Sequence, residues 1–225
     1  MSSRWYYFFG VTLILIVFVF QFNALVEGKN KDDERIQDIY KDIAIHESMK
    51  RVDKDRSSSV NKIIDIIEKY NSTMPDLQKV DIANEIFEMS VKYPNLNIDF
   101  IAATITHESA NTWDPNVVSR VGALGLMQIM PSTGEYLAAE EGIDWSSSDL
   151  LFDPLVNIRL GCRYLNEMVT MYSHDGGLAA YNAGPRIARL WLASNRDDQI
   201  LWKETRGYVP AILKLYAEFQ TIEEM

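Results

Sequence analysis

The sequence carries one cysteine, Cys162, and three histidines dispersed over 225 residues. A single cysteine excludes an internal disulfide. Scattered histidines give no zinc-binding set, and no metal is expected. His107-Glu108 begins like an HExxH metalloprotease motif, but Asn111 stands where the second histidine belongs. Neither a GxxxxGK[ST] loop nor a GxGxxG turn is present, so nucleotide cofactors have no cradle, and no GxSxG elbow offers a serine nucleophile. Cys162 falls at helical spacing with Leu155 and Leu165, a place for a small buried residue rather than a nucleophile. Basic residues are also in deficit, 22 against 32 acidic, for a net charge of −10. A nucleic-acid partner would favour a basic face, so none is expected.

Apolar residues make up 47 % of the chain, enough for a packed core in one main domain with extra segments. From Trp5 to Val26 no residue is charged, about the ~20 residues a helix needs to cross a bilayer. Trp5, Tyr6 and Tyr7 suit a membrane interface, and Arg4 favours a cytoplasmic N-terminus over residues 1–4. A cleaved signal peptide is the competing reading, but bulky Phe22 before Ala24 makes a poor cleavage pattern. The pattern favours a retained transmembrane anchor over residues 5–26. That places the chain at a bacterial inner membrane as a single-pass protein, with the remainder in the periplasm or outside the membrane.

Residues 27–59 are highly charged, with a short stripe of Ile36, Ile39, Tyr40 and Ile43, and read as a helical stalk ending in a DKDRSSS linker. Helical periodicity dominates from Val60 to the end, residues 60–225. One stripe is Val60, Ile63, Ile64 and Ile67; a second is Leu77, Val80, Ala83, Phe87 and Val91. A third is Leu155, Ile158, Cys162, Leu165 and Val169, behind an Asp153-Pro154 start. GGLAAYNAGP reads as a short helix closed by Gly184 and Pro185, VPAILKLYAEFQ as the last helix, and residues 111–145 as rich in loops. The class is all-α.

Glu108 breaks the pattern. Ile98, Ile101 and Ile105 precede it at offsets of one helical face, so it ends an apolar stripe. A carboxyl there is partly desolvated and its pKa rises, which suits a general acid held protonated near neutral pH. Glycosidic cleavage is the reaction most associated with such a group. VGALGLMQIMP follows at residues 121–131. Gly122 and Gly125 allow close backbone approach, Gln128 offers an amide suited to sugar hydroxyl or N-acetyl groups, and Met127 either packs on a sugar face or fills core. AAYNAGP at 179–185 and ETRGYV at 204–209 come next.

HES, GALGLMQIMP, AAYNAGP and ETRGYV, in this order, resemble the soluble-lytic-transglycosylase-like catalytic domain of glycoside hydrolase family 23, which also holds goose-type lysozyme. The resemblance covers roughly residues 95–220. It implies a lysozyme-like helical fold with a long groove, peptidoglycan as substrate and no cofactor. It further implies cleavage of the β-1,4 bond between N-acetylmuramic acid and N-acetylglucosamine, leaving a 1,6-anhydro ring. Glu108 would act as acid and then as base. Ser109 would either face substrate or hold the helix end. Ser119 would lie near the muramoyl N-acetyl group, and Gln128 would bind substrate. Tyr181 and Asn182 would line the cleft. Glu204 would be a cleft carboxylate or a partner of Arg206, and Tyr208 would orient Glu108. ESANTW departs from the motif by two residues, Asn111 and Thr112, which would lengthen the groove wall. A lysozyme-type hydrolase and a glycan-binding protein without turnover are the alternatives, and a cell-envelope protein complex is a possible further partner.

Overall fold

The structure is a computed structural model in which the backbone is described for residues 4–222 and side chains for residues 18–21, 23 and 37–222. Contacts divide the chain into two compact units, Met1–Lys54 and Asp55–Met225. The helices are α1 (Arg4–Tyr70), α2 (Asp76–Lys92), α3 (Ile98–Glu108), α4 (Pro131–Glu140), α5 (Pro154–Ala183), α6 (Pro185–Ala193) and α7 (Lys203–Gln220), with a 3-10 turn at Ser148–Phe152 before α5. Among the described residues the only extended pairings are isolated antiparallel bridges of Leu124 with Val118 and with Ile129.

In the first unit every described side chain is exposed, including Ile39, Tyr40 and Ile43 of the expected stripe. The helix passes through DKDRSSS without a break, so the linker expected there is helical. The transmembrane anchor requires correction. Most of the side chains of residues 5–26 lie outside the described residues. Phe18, Val19 and Phe20 are described, and Gln21 and Asn23 interrupt the run after them. Among the described residues no helix is long and apolar enough to cross a membrane, which removes the basis for the anchor, for a membrane partner and for a single-pass inner-membrane location.

The second unit folds around α3. Asn97 caps it, its Oδ1 accepting from the Phe100 N–H at 2.9 Å. Residues 100–106 are all buried, so α3 is covered on every side and can hold its last residue in a fixed place. It packs against α2 and α7, while α5 packs against α2, α6 and α7. Asp153 caps α5 through the N–H groups of Leu155 and Val156, with Pro154 in the first turn. The expected α5 stripe is buried from Ile158 to Val169. Ser173, at φ 62°, breaks α5 before GGLAAYNA, and Gly184, at φ 89°, ends it.

Three elements differ from the sequence reading. The face of α2 that is buried is Lys79, Ile82, Ala83, Ile86 and Met89, while Leu77, Val80 and Val91 are exposed. Two charged residues on the buried side disguised it, and both are paired. Lys79 Nζ meets Glu68 Oε2 at 2.5 Å, and Glu85 takes two 2.7 Å hydrogen bonds from Arg159. A helix also occupies residues 131–140 of the expected loop region, started by Pro131 at its first position. Finally, α7 begins at Lys203 and carries Pro210 inside, so ETRGYV is helical.

Candidate active site

Glu108 ends α3, and the chain then turns sharply. Ser109 is fully buried; its Oγ accepts from the Trp113 N–H at 3.1 Å. Ala110, Asn111 and Trp113 all have positive φ, 52°, 60° and 48°. Left-handed backbone is uncommon for residues with a Cβ and needs support from its surroundings. Trp113 supplies it: the indole is fully buried and donates from Nε1 to Thr106 Oγ1 at 2.9 Å. The loop after the glutamate is thus tied to the helix that carries it.

The GALGLMQ segment forms a facing wall. Gly125 N–H bonds Val117 O at 2.9 Å, and Leu124 and Ile129 exchange two 3.0 Å bonds. Asn157 of α5, fully buried, clamps the segment. Its Nδ2 donates to Leu124 O and Leu151 O, and its Oδ1 accepts from the Met127 N–H at 2.8 Å. Gln128, at φ 48°, donates from Nε2 to Gly125 O and Val117 O. Ser119 Oγ accepts from the Ala123 N–H at 2.9 Å.

The third wall comes from α5 and α7. Tyr181 donates to Met127 O at 2.8 Å, joining the end of α5 to the GALGLMQ segment. Asn182 Oδ1 accepts from Thr205 Oγ1 at 2.7 Å, joining it to α7. Glu204 and Tyr208 are four residues apart on α7 and share a face. The Tyr208 hydroxyl donates to Glu108 Oε1 at 2.5 Å. His107 packs edge-on against the Tyr208 ring, centroids 5.0 Å apart at 81°.

These walls enclose a cleft of about 720 Å³ lined by His107, Glu108, Ala110, Val117, Val118, Ser119, Arg120, Gln128, Asn182, Glu204, Gly207 and Tyr208. Burial pushes the Glu108 carboxyl up to about 8, against the Tyr208 hydrogen bond, which favours the carboxylate; the negative charge of Glu204 adds to the rise. The acid is therefore mostly protonated at neutral pH. Burial lowers the pKa of His107, which keeps the imidazole neutral there. Burial also pushes the Tyr181 and Tyr208 hydroxyls well above their ordinary value, so both remain donors. Among the described residues no group of three or more His, Cys, Asp or Glu could hold a metal ion.

The family model of the transglycosylase SLT domain matches residues 85–201, just over half of the chain. The chain belongs to this family. The chain is 34 % identical over 148 residues to the soluble lytic murein transglycosylase of Escherichia coli K12, covering 61 % of this chain and 23 % of that protein. Among solved structures, an inactive Glu-to-Gln mutant of the lytic transglycosylase Slt from Pseudomonas aeruginosa superposes with a TM-score of 0.54 at 32 % identity, over 60 % of this chain and 23 % of that one. The 70-kDa soluble lytic transglycosylase in complex with bulgecin A gives 0.53 at 30 %, over 66 % and 27 %. The chain thus spans about a quarter of the length of these relatives. The resemblance read from the four motifs is borne out, and with it the all-α fold of the SLT domain.

Of the residues singled out in the sequence, the structure brings Glu108, Ser119, Gln128, Asn182, Glu204 and Tyr208 to one cleft. Ser109 and Met127 are fully buried and line no part of it. Ser109 holds the turn, and Met127 lies under the wall, its Sδ 3.9 Å from Cys162 Sγ. Tyr181 stands behind the wall through its bond to Met127. Glu204 is exposed and forms no ion pair with Arg206, whose Nε donates to Leu201 O. The sequence reading missed Asn157, His107 and Thr205. An asparagine beside the apolar stripe of α5 is the one local signal for Asn157, and spacing alone does not show what it binds.

Proposed function

We propose that this chain is a peptidoglycan lytic transglycosylase whose catalytic domain is residues 60–225 and whose residues 27–59 form a helical stalk. The substrate bond is the β-1,4 link between N-acetylmuramic acid and N-acetylglucosamine. The protonated Glu108 gives its proton to the glycosidic oxygen as the C1–O bond breaks. The substrate's N-acetyl group stabilises the developing positive charge. Glu108, now a carboxylate, takes the proton of the muramic acid 6-hydroxyl as that oxygen bonds to C1. The 1,6-anhydro ring closes without consuming water, so one protein carboxyl serves as acid and then base. The observation that carries this reading is a glutamic acid lifted to about 8 in the cleft, with one donor among the described residues, Tyr208, on its carboxyl. The donor steadies the carboxylate between the two steps.

Hydrolysis on the same fold is the second reading, and Glu204 favours it, because an exposed carboxylate on the same cleft is placed to orient water. Digestion of purified sacculi by the full chain separates the two. Mass spectrometry should find muropeptides one water lighter, with anhydromuramoyl ends, and none from Glu108→Gln. Reducing ends would establish hydrolysis. Sacculi bound by both forms without any release would make the chain a glycan-binding protein.

A further inference from the structure

The loop that follows Glu108 lines two cavities. Ala110 and Val117 face the cleft. Asn111, Thr112, Asp114 and Asn116 line a second cavity of about 530 Å³, with Tyr70 and Gln78 contributed by α1 and α2. Adjacent residues 110 and 111, and again 116 and 117, serve different cavities, and neighbouring Cα atoms are ~3.8 Å apart. The loop borders both spaces.

We propose that the second cavity is an outer glycan subsite. It takes neutral, hydroxyl- and acetamido-bearing sugar units of the same strand whose scissile bond lies at Glu108; the proposal rests on the glycan reading of the cleft. The lining chemistry selects the ligand. Gln78 and Asn111 present carboxamides and Tyr70 an aromatic surface, the groups that meet sugar hydroxyls and ring C–H faces, while the Thr112 hydroxyl and the Asn116 amide are engaged within the loop by Ser109 O and Asp114 Oδ1. The Gln78 and Asn111 side chains form no hydrogen bond among the described residues, so their donors and acceptors are free for a ligand. No lysine or arginine lines the cavity, so it has no partner for the carboxylates of peptide stems. Its one carboxylate, Asp114, already accepts from the Asn116 N–H at 2.9 Å and from its Nδ2 at 3.1 Å through Oδ1.

The test is a binding series with N-acetylglucosamine oligomers of two to six units, measured by calorimetry on the full chain carrying Glu108→Gln to prevent turnover. A second protein adds Gln78→Ala and Asn111→Gly; glycine keeps the left-handed backbone of residue 111 without strain. Affinity should rise with length in the first protein. The added pair should weaken the longest oligomers ~10-fold, two amide contacts being lost, and leave the shortest unchanged, which also shows that the protein is folded. Equal affinity of both proteins for every length overturns the subsite alone. No binding of any oligomer by either protein overturns the glycan reading of cleft and cavity together.

Discussion

Tyr208 donates from its hydroxyl to Glu108 Oε1 across 2.5 Å, linking α7 to the last residue of α3 over one hundred positions of sequence. This bond favours the carboxylate and opposes the burial that favours the acid. Two effects follow from its removal in Tyr208→Phe. The pKa of Glu108 climbs beyond its present value of about 8, so the alkaline limb of the pH–rate profile moves up. The carboxylate formed after proton donation loses its donor, so kcat at the optimum falls on the order of 10-fold. A pH–rate profile on sacculi reads both. An unshifted alkaline limb would separate Tyr208 from the acid.

The raised Glu108 pKa makes the residue a source of instability. Folding raises it from the ordinary 4.5 to about 8. Between those values the folded chain keeps a proton that the unfolded chain has lost. The stability this group contributes is thus full below pH 4.5 and is lost as pH rises through 8. Glutamine carries no such dependence and still accepts from Tyr208. The stability advantage of Glu108→Gln over the parent should therefore widen between pH 4.5 and pH 8.5, by about 2 kcal/mol once the shift is discounted for the carboxyl's partial solvent contact. Thermal melts of the two proteins at both pH values measure it. A constant difference would mean that Glu108 titrates normally.

Much of this arrangement was legible in the sequence because it rests on periodicity. The Ile98, Ile101 and Ile105 stripe placed Glu108 at the end of a buried helix, and Ile63 and Ile67 of α1 and the face from Ile158 to Val169 of α5 read correctly, whereas Ile39, Tyr40 and Ile43 of α1 are exposed. The reading failed where polar groups are buried in pairs. Lys79 and Glu85 hid the buried face of α2, since each is satisfied by a residue distant in sequence or on another helix. Asn157 was invisible as a clamp because its partners are backbone atoms in loops, which side-chain spacing does not report. ETRGYV was recognised as a motif but not as helix, the last helix being read only over VPAILKLYAEFQ; once it is helical, Glu204 and Tyr208 share a face by spacing alone.

The Asn157 clamp predicts the cost of a small change. Gly125 has φ 76°, and a Cβ there would collide with the Asn157 amide and with Leu151 O. Gly125→Ala should displace the clamp and lower stability by about 2–3 kcal/mol, combining backbone strain with disrupted buried hydrogen bonds. Gly122→Ala shares the positive φ, 88°, but its Cβ meets nothing within 4 Å, so its cost should stay near ~1 kcal/mol. Urea unfolding of both variants makes the comparison. Equal losses would locate the effect in backbone strain and leave the clamp without a role.

Glu204 acts on the same acid with the opposite sign to Tyr208. Its charge raises the Glu108 pKa, so Glu204→Gln should move the alkaline limb of the pH–rate profile down. Glu204 is exposed and screened by water, which keeps the shift small, and kcat on the neutral plateau should change by less than ~5-fold. The same variant weighs the two chemistries against each other. Ring closure by the muramic acid 6-hydroxyl needs no water, so a transglycosylase tolerates the loss of a water-orienting carboxylate and still releases anhydromuramoyl ends. A hydrolase that relies on Glu204 to activate water loses on the order of 100-fold or more. A modest downward shift with anhydro products therefore supports Glu108 as the single acid and base, and a collapse of rate assigns Glu204 a direct part in the chemistry.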